Sequence, residues 1–250
     1  MTENISQNGP SDLRSVRKAG WKRAFRNAGI LSLGRGGRGI LSIFYIAVAL
    51  RALGVENFGV LVILQSLALT VAQFVQLHTN FILLRFGGIA RHNNNNSEFC
   101  RVTGFLFRID IFSAGLGFIL LQLAMPWLLS VFSIPPQYLD IARVFPFVLF
   151  FHILTPVPKA ILKLEDRHDR LARQALVEPF IRLAGSVALY MTGGTIEMFM
   201  LLWVISSVVS RFALISMGWG QISQFIPGRQ FKDFRVPDFL ARLKDHRSLL

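Results

Sequence analysis

Cysteine is nearly absent: Cys100 is the single one in 250 residues. A disulfide or zinc framework within one chain is therefore excluded. Cys100 falls in a polar stretch read as a loop, and is taken as incidental. Charge is sparse as well, 16% of residues, against roughly 25% in soluble domains. Acids are the scarcest charges, 14 against 27 Lys and Arg, for a formal net charge of +13. Such an excess suggests nucleic acid. Here, however, the basic residues sit between apolar blocks and form no RNA- or DNA-binding signature, so no nucleic-acid partner is expected. No Ser/His/Asp grouping, metal-ligand spacing or aspartate-rich prenyl-diphosphate motif occurs. No enzyme, metal or cofactor is expected either.

What is present is apolar length. Hydrophobic residues make up 52% of the chain, in blocks of the roughly 20 residues that cross a bilayer as a helix. The spacing predicts an all-α polytopic transmembrane bundle of six spans. They cover about 28 or 36 to 50, 58–84, 103–131, 138–162, 174–192 and 196–218. Residues 1–27 form a basic segment without a signal-peptide cleavage site. Residues 28–218 form the membrane lobe, and residues 219–250 a basic amphipathic segment with no span of its own.

Charge sets the orientation. The connections ALGVEN, SIPPQ and TGGTIE carry no Lys or Arg. The alternate connections carry Arg85, Arg91 and Arg101, then Lys159, Lys163, Arg167, Arg170 and Arg173. Positive loops stay in the cytoplasm, so both termini are expected there. Pro146, Pro156 and Pro158 in the fourth span and Pro179 in the fifth each remove a backbone donor. They read either as breaks lining a route or as packing curvature. The cluster Gly34-Arg35-Gly36-Gly37-Arg38-Gly39 lacks the Gly-Lys-Ser/Thr of a phosphate loop. Its glycines read as close packing between helices.

Ionisable residues inside spans usually face a cavity or a partner. The candidates are Arg35, Arg38, Arg108, Asp110, Arg143, Glu178, Arg182 and Arg211. Arg38 lies about 20 Å and Arg35 about 24 Å below Arg51 at the helical rise, on one face at i,i+3 spacing. Glu178 and Arg182 are one turn apart, either an ion pair or a binding element. Arg143 and Arg211 read as snorkelling to the interface. Mid-span His152 reads as hydrogen-bonded packing. Gln73, Gln76 and His78 give the second span a polar end. Glu165, Asp166 and Asp169 read as a solvated loop. An excess of buried arginine over acid implies an anionic guest, because guanidinium groups grip phosphate oxygens in bidentate fashion.

The run RNAGILSLGRGGRGILSIFYIAVALRALGVENFGVLVILQS resembles the first helical pair of Wzx-type polysaccharide flippases. These belong to the superfamily that includes the lipid II flippase and the MATE exporters. LLRFGG, Asp110, LKLEDRHDRLARQ and EPFIRLAG resemble later parts of one lipopolysaccharide branch. The resemblance implies two six-helix lobes forming a V around a central cavity. By position, Arg35 and Arg38 match the helix-one arginines that engage the diphosphate of an undecaprenyl carrier; Arg182 and Asp110 are carried over by position in the same way. It further implies a bacterial inner-membrane location and a lipid-linked oligosaccharide as guest. It covers one lobe, so a second six-helix lobe is expected from a missing C-terminal half or another subunit. The alternatives are an ion-coupled MATE-like exporter, a membrane enzyme such as a polyprenyl-phosphate glycosyltransferase, and an inactive truncated fragment.

Overall fold

Long apolar runs become helices here because a helix satisfies its own backbone donors and acceptors, as lipid requires. The computed structural model describes residues 10–222, with side chains from Gly36 onward. Among the described residues there is no strand. Helix α1 runs Pro10–Val75. After a break at 76–78 come α2 (Thr79–Ile82), a π-helical turn (Leu83–Gly87) and α3 (Gly88–His92). Then follow α4 (Asn96–Val131), α5 (Leu139–Ala142), α6 (Pro146–Ile153), α7 (Pro156–Leu164), α8 (His168–Thr192) and α9 (Ile196–Ile222).

Among the described residues five segments are long and apolar enough to cross a membrane: Gly36–Val75, Asn96–Val131, Pro136–Leu164, His168–Thr192 and Ile196–Ile222. The first is not one straight rod. Gly54 holds φ 76, ψ 170, a backbone region open essentially to glycine alone. Arg38 and Leu69 line the same cavity, yet a straight helix would set them about 46 Å apart. The chain therefore reverses at Gly54, and α1 is a hairpin of two arms.

The other irregularities also follow from sequence. Pro146 and Pro156 stand at the first positions of α6 and α7, where a missing N–H does no harm. The fourth span, expected as one helix over 138–162, is thus three short helices. Pro126 and Pro179 lie inside α4 and α8, which continue through them. Helix α8 ends where Gly193 turns left-handed at φ 70 and Gly194 N–H returns to the Leu189 carbonyl at 2.8 Å, a glycine helix stop.

The second span, expected to reach residue 84, breaks at 76–78, where His78 takes φ 50. Helix α4 holds this break from outside: Ser113 donates its hydroxyl to the Val75 carbonyl at 3.4 Å. Helix α4 also begins earlier than expected, because Asn95 accepts from the Glu98 N–H at 3.1 Å and caps it. Cys100 is consequently buried inside α4, not in a loop.

Two apolar clusters hold the bundle. The larger contains Leu61, Leu121, Phe145, Leu149, Phe199 and Trp203. The smaller, at the end rich in basic connections, contains Leu83, Phe99, Leu106, Val157, Ile161 and Ile222. The outward surface is apolar too: Phe74 is 86%, Phe112 76% and Trp127 65% exposed. Such a surface suits lipid and not water.

Candidate functional site

Where the hairpin, the broken fourth span, α8 and α9 meet, they line an open cavity of about 420 Å³, in which Arg38 and Lys163 are exposed. Arg38 comes from the first arm of α1 and Leu69 from the second. His152 closes α6, and Thr155 sits in the break before α7. Lys159 and Lys163 share one face of α7 at i,i+4. Leu171, Gln174, Ala175 and Glu178 form a stripe along α8, and Ser210, Arg211 and Leu214 one along α9. Four cations thus face one carboxylate. Among the described residues no carboxylate pairs with Arg38, Lys159 or Lys163.

The arginine on α9 is held tightly. Arg211 donates from Nε and Nη2 to His152 Nδ1 at 3.4 and 3.1 Å, and from Nη1 to the Ser207 carbonyl at 3.1 Å. Arginine only donates. His152 therefore accepts at Nδ1. Gln174 donates to the Ser210 hydroxyl and carbonyl at 2.8 and 3.1 Å, fastening α8 to α9. Gly218, on α9, lies against Pro158 of α7 so closely that an added Cβ would come within 2.7 Å of it.

Behind the wall lies a second charged layer. Glu178 Oε1 meets Arg182 Nη2 at 2.7 Å and accepts the Ser207 hydroxyl at 2.9 Å. Its Oε2 lies 3.6 Å from Arg211 Nη1. Arg182, only 4% exposed, also donates to the Ser206, Ser207 and Tyr45 hydroxyls. Its guanidinium stacks over the Trp203 ring at 4.9 Å and the Tyr45 ring at 5.6 Å, a favourable cation–π setting.

The candidates from the sequence therefore divide. Arg38 and Glu178 line the cavity, while Arg182 sits behind it. Asp110 is elsewhere: fully buried, it accepts the Thr79 hydroxyl at 2.8 and 2.9 Å and the Val157 N–H. It thus joins the break before α2 to the start of α7, the helix that carries Lys159 and Lys163. Arg108 is exposed on α4. The side chain of Arg35 and the segment from residue 223 on lie outside the described residues. Arg143 is half exposed beside Asp140, as a snorkelling residue would be. Arg211 does not snorkel; it is buried on the cavity wall, because His152 and Glu178 reach it from two other helices. Among the described glycines of this cluster packing is close at Gly37, where an added Cβ would meet Leu176 at 3.1 Å, whereas Gly36 and Gly39 face open space.

Lys159, Lys163 and Arg211 were missed as cavity residues. A signal existed for each. Pro156 restarts a helix, which puts the two lysines on one face instead of in a loop. Ser207, Ser210, Arg211 and Leu214 recur at helical spacing along α9. Glu165, expected to be solvated, is half-buried and pairs with Arg91 at 2.8 Å. Among the described residues no three His, Cys, Asp or Glu side chains come together as metal ligands would.

No protein-family model and no solved structure matches the chain. Over 148 residues it is 30% identical to the Inner membrane protein YghQ of Escherichia coli strain K12. The aligned stretch is 59% of this chain and 41% of that protein's length. With five segments of spanning length among the described residues and an outward apolar face, this likeness marks the chain as a multi-pass helical protein of an inner membrane.

Proposed function

We propose that the chain is one lobe of a flippase that carries an undecaprenyl-diphosphate-linked oligosaccharide across the bacterial inner membrane. In this reading each arm of α1 crosses separately, giving six spans, and both termini are cytoplasmic. The single observation that carries it is the cavity with Arg38, Lys159, Lys163 and Arg211 set against Glu178. Four cations set against one carboxylate between apolar spans call for an anion. Guanidinium forks suit phosphate oxygens, and ammonium groups add point charges.

The broken fourth span supports the same reading. Irregular backbone at membrane depth is tolerated where it lines a cavity or is buried in protein, and here the break at 154–155 opens on the cavity. The guest's lipid tail stays in the bilayer while its head enters between the helices. A second lobe, within the same protein or from another subunit, closes the path by rocking against this one. Bound diphosphate shifts the balance of states by contacting one more strongly than the other.

An ion-coupled exporter would need a path-facing carboxylate that no arginine neutralises, so that it can take up the coupling cation. Asp110 is turned to Thr79 and Val157, and Glu178 is held by Arg182. These contacts favour the flippase reading.

The test uses the full-length protein in a cell that displays the glycan. Arg38→Ala and the pair Lys159→Gln/Lys163→Gln are expected to abolish surface glycan at normal protein levels, with Arg38→Lys intermediate. Normal glycan from both would contradict the proposal.

A further inference from the structure

Among the described residues Glu178 is the one carboxylate on the cavity wall, and its two arginine contacts differ in kind. The contact with Arg182, at 2.7 Å, is buried and reinforced by the shared Ser207 hydroxyl. Arg182 is occupied on every side by protein, and it does not line the cavity. The contact with Arg211 is longer, 3.6 Å, and Arg211 does line the cavity. An anion arriving beside Arg211 therefore competes with Glu178 there, while Arg182 keeps hold of the carboxylate.

We propose that Glu178 is a built-in counter-anion of the cavity, displaced from Arg211 by the guest's phosphate. Arg182 is the positioning residue that keeps the Glu178 charge turned away from the wall. This rests on the phosphate reading above and adds a regulator of affinity to it. Its use is release. Four uncompensated cations would hold a diphosphate too long, and passage requires a site that is weak enough to leave. A carboxylate that returns to Arg211 as the phosphate departs makes that departure easier.

The consequence is a tightening of binding, which loss of structure cannot mimic. Glu178→Gln keeps an oxygen for Arg182 and Ser207 but removes one unit charge about 6 Å from the bound anion. At that separation anion binding tightens by about threefold even at the dielectric of bulk water, and by more inside the cavity. Arg182→Gln frees the carboxylate to turn fully onto Arg211 and weakens binding by a similar factor. Glu178→Gln/Arg182→Gln replaces a buried ion pair with neutral groups, leaving no lone buried charge. It is expected to bind more tightly than wild type and to fold normally.

The experiment is titration of the purified chain in lipid nanodiscs with inorganic pyrophosphate, followed calorimetrically, for wild type and the three variants. Tighter binding by Glu178→Gln and by the double variant, with weaker binding by Arg182→Gln, is the expected result. Wild-type binding that is unchanged or weakened in both Glu178→Gln and the double variant overturns this inference and leaves the phosphate reading standing. No pyrophosphate binding by any of the four overturns both.

Discussion

Replacing Gly54 with alanine separates backbone geometry from packing. Gly54 holds φ 76, ψ 170, and an added Cβ would meet nothing within 4 Å. No steric clash accompanies the substitution, so the whole effect is conformational. A non-glycine residue forced into that region costs about 1–3 kcal/mol. Gly59 provides the control. It lies five residues further along α1, and an added Cβ there also meets nothing within 4 Å, but its φ is ordinary. Alanine at a helix interior is better than glycine by about 0.5–1 kcal/mol. Gly54→Ala is therefore expected to destabilise and Gly59→Ala to stabilise, a gap of about 1.5–4 kcal/mol between two identical chemical changes. The assay is reversible unfolding of the purified chain in mixed micelles by titration with sodium dodecyl sulfate. Equal shifts in the same direction for the two variants would refute the reversal at Gly54. The arms that Gly54 joins would then not be the pair that brings Arg38 beside Leu69.

Three further outcomes follow from the same geometry. Arg182→Ala breaks the buried 2.7 Å pair and leaves Glu178 only its contact with Arg211, and is expected to lower stability by about 3 kcal/mol. Arg143→Ala, at a half-exposed pair with Asp140, should change stability by less than about 1 kcal/mol; thermal unfolding of both reads the contrast. Asp110→Ala strips the acceptor from the Thr79 hydroxyl and the Val157 N–H, at about 1–3 kcal/mol for each group left unpaired. Asp110→Asn retains an acceptor and should lose less in the same unfolding assay. Gly218→Ala drives a methyl group into Pro158 and is expected to destabilise by about 1–3 kcal/mol, with pyrophosphate binding weakened because α7 and its lysines are displaced.

Local signals and tertiary ones contributed differently to the reading of this chain. The sixth span was legible almost to the residue, starting at Ile196, because an apolar run is bounded by the turn Gly193-Gly194. The breaks at Pro146 and Pro156 were legible as prolines in an apolar block, although their use as cavity wall was not. The end of α1 at Val75 was not legible. It depends on Ser113 and Asp110 from α4, partners some 30 to 40 residues distant that no local pattern announces. Arg211 was misjudged for the same reason, since its partners His152 and Glu178 lie on other helices. Lys159 and Lys163 were placed in a loop because positive charge following an apolar run normally marks a span's end. In the folded chain they belong to α7, which packs against α8 and α9; Lys159 is half-buried there and Lys163, in the last turn, is exposed.

The most direct measurement is an experimental structure of the chain in lipid with a short-chain prenyl-diphosphoryl sugar. The account expects the diphosphate in the cavity between Arg38 and Arg211, with phosphate oxygens within about 4 Å of those guanidinium groups and of Lys159. A diphosphate bound only at the outer, lipid-facing surface, with the four cations of the cavity untouched, would contradict it.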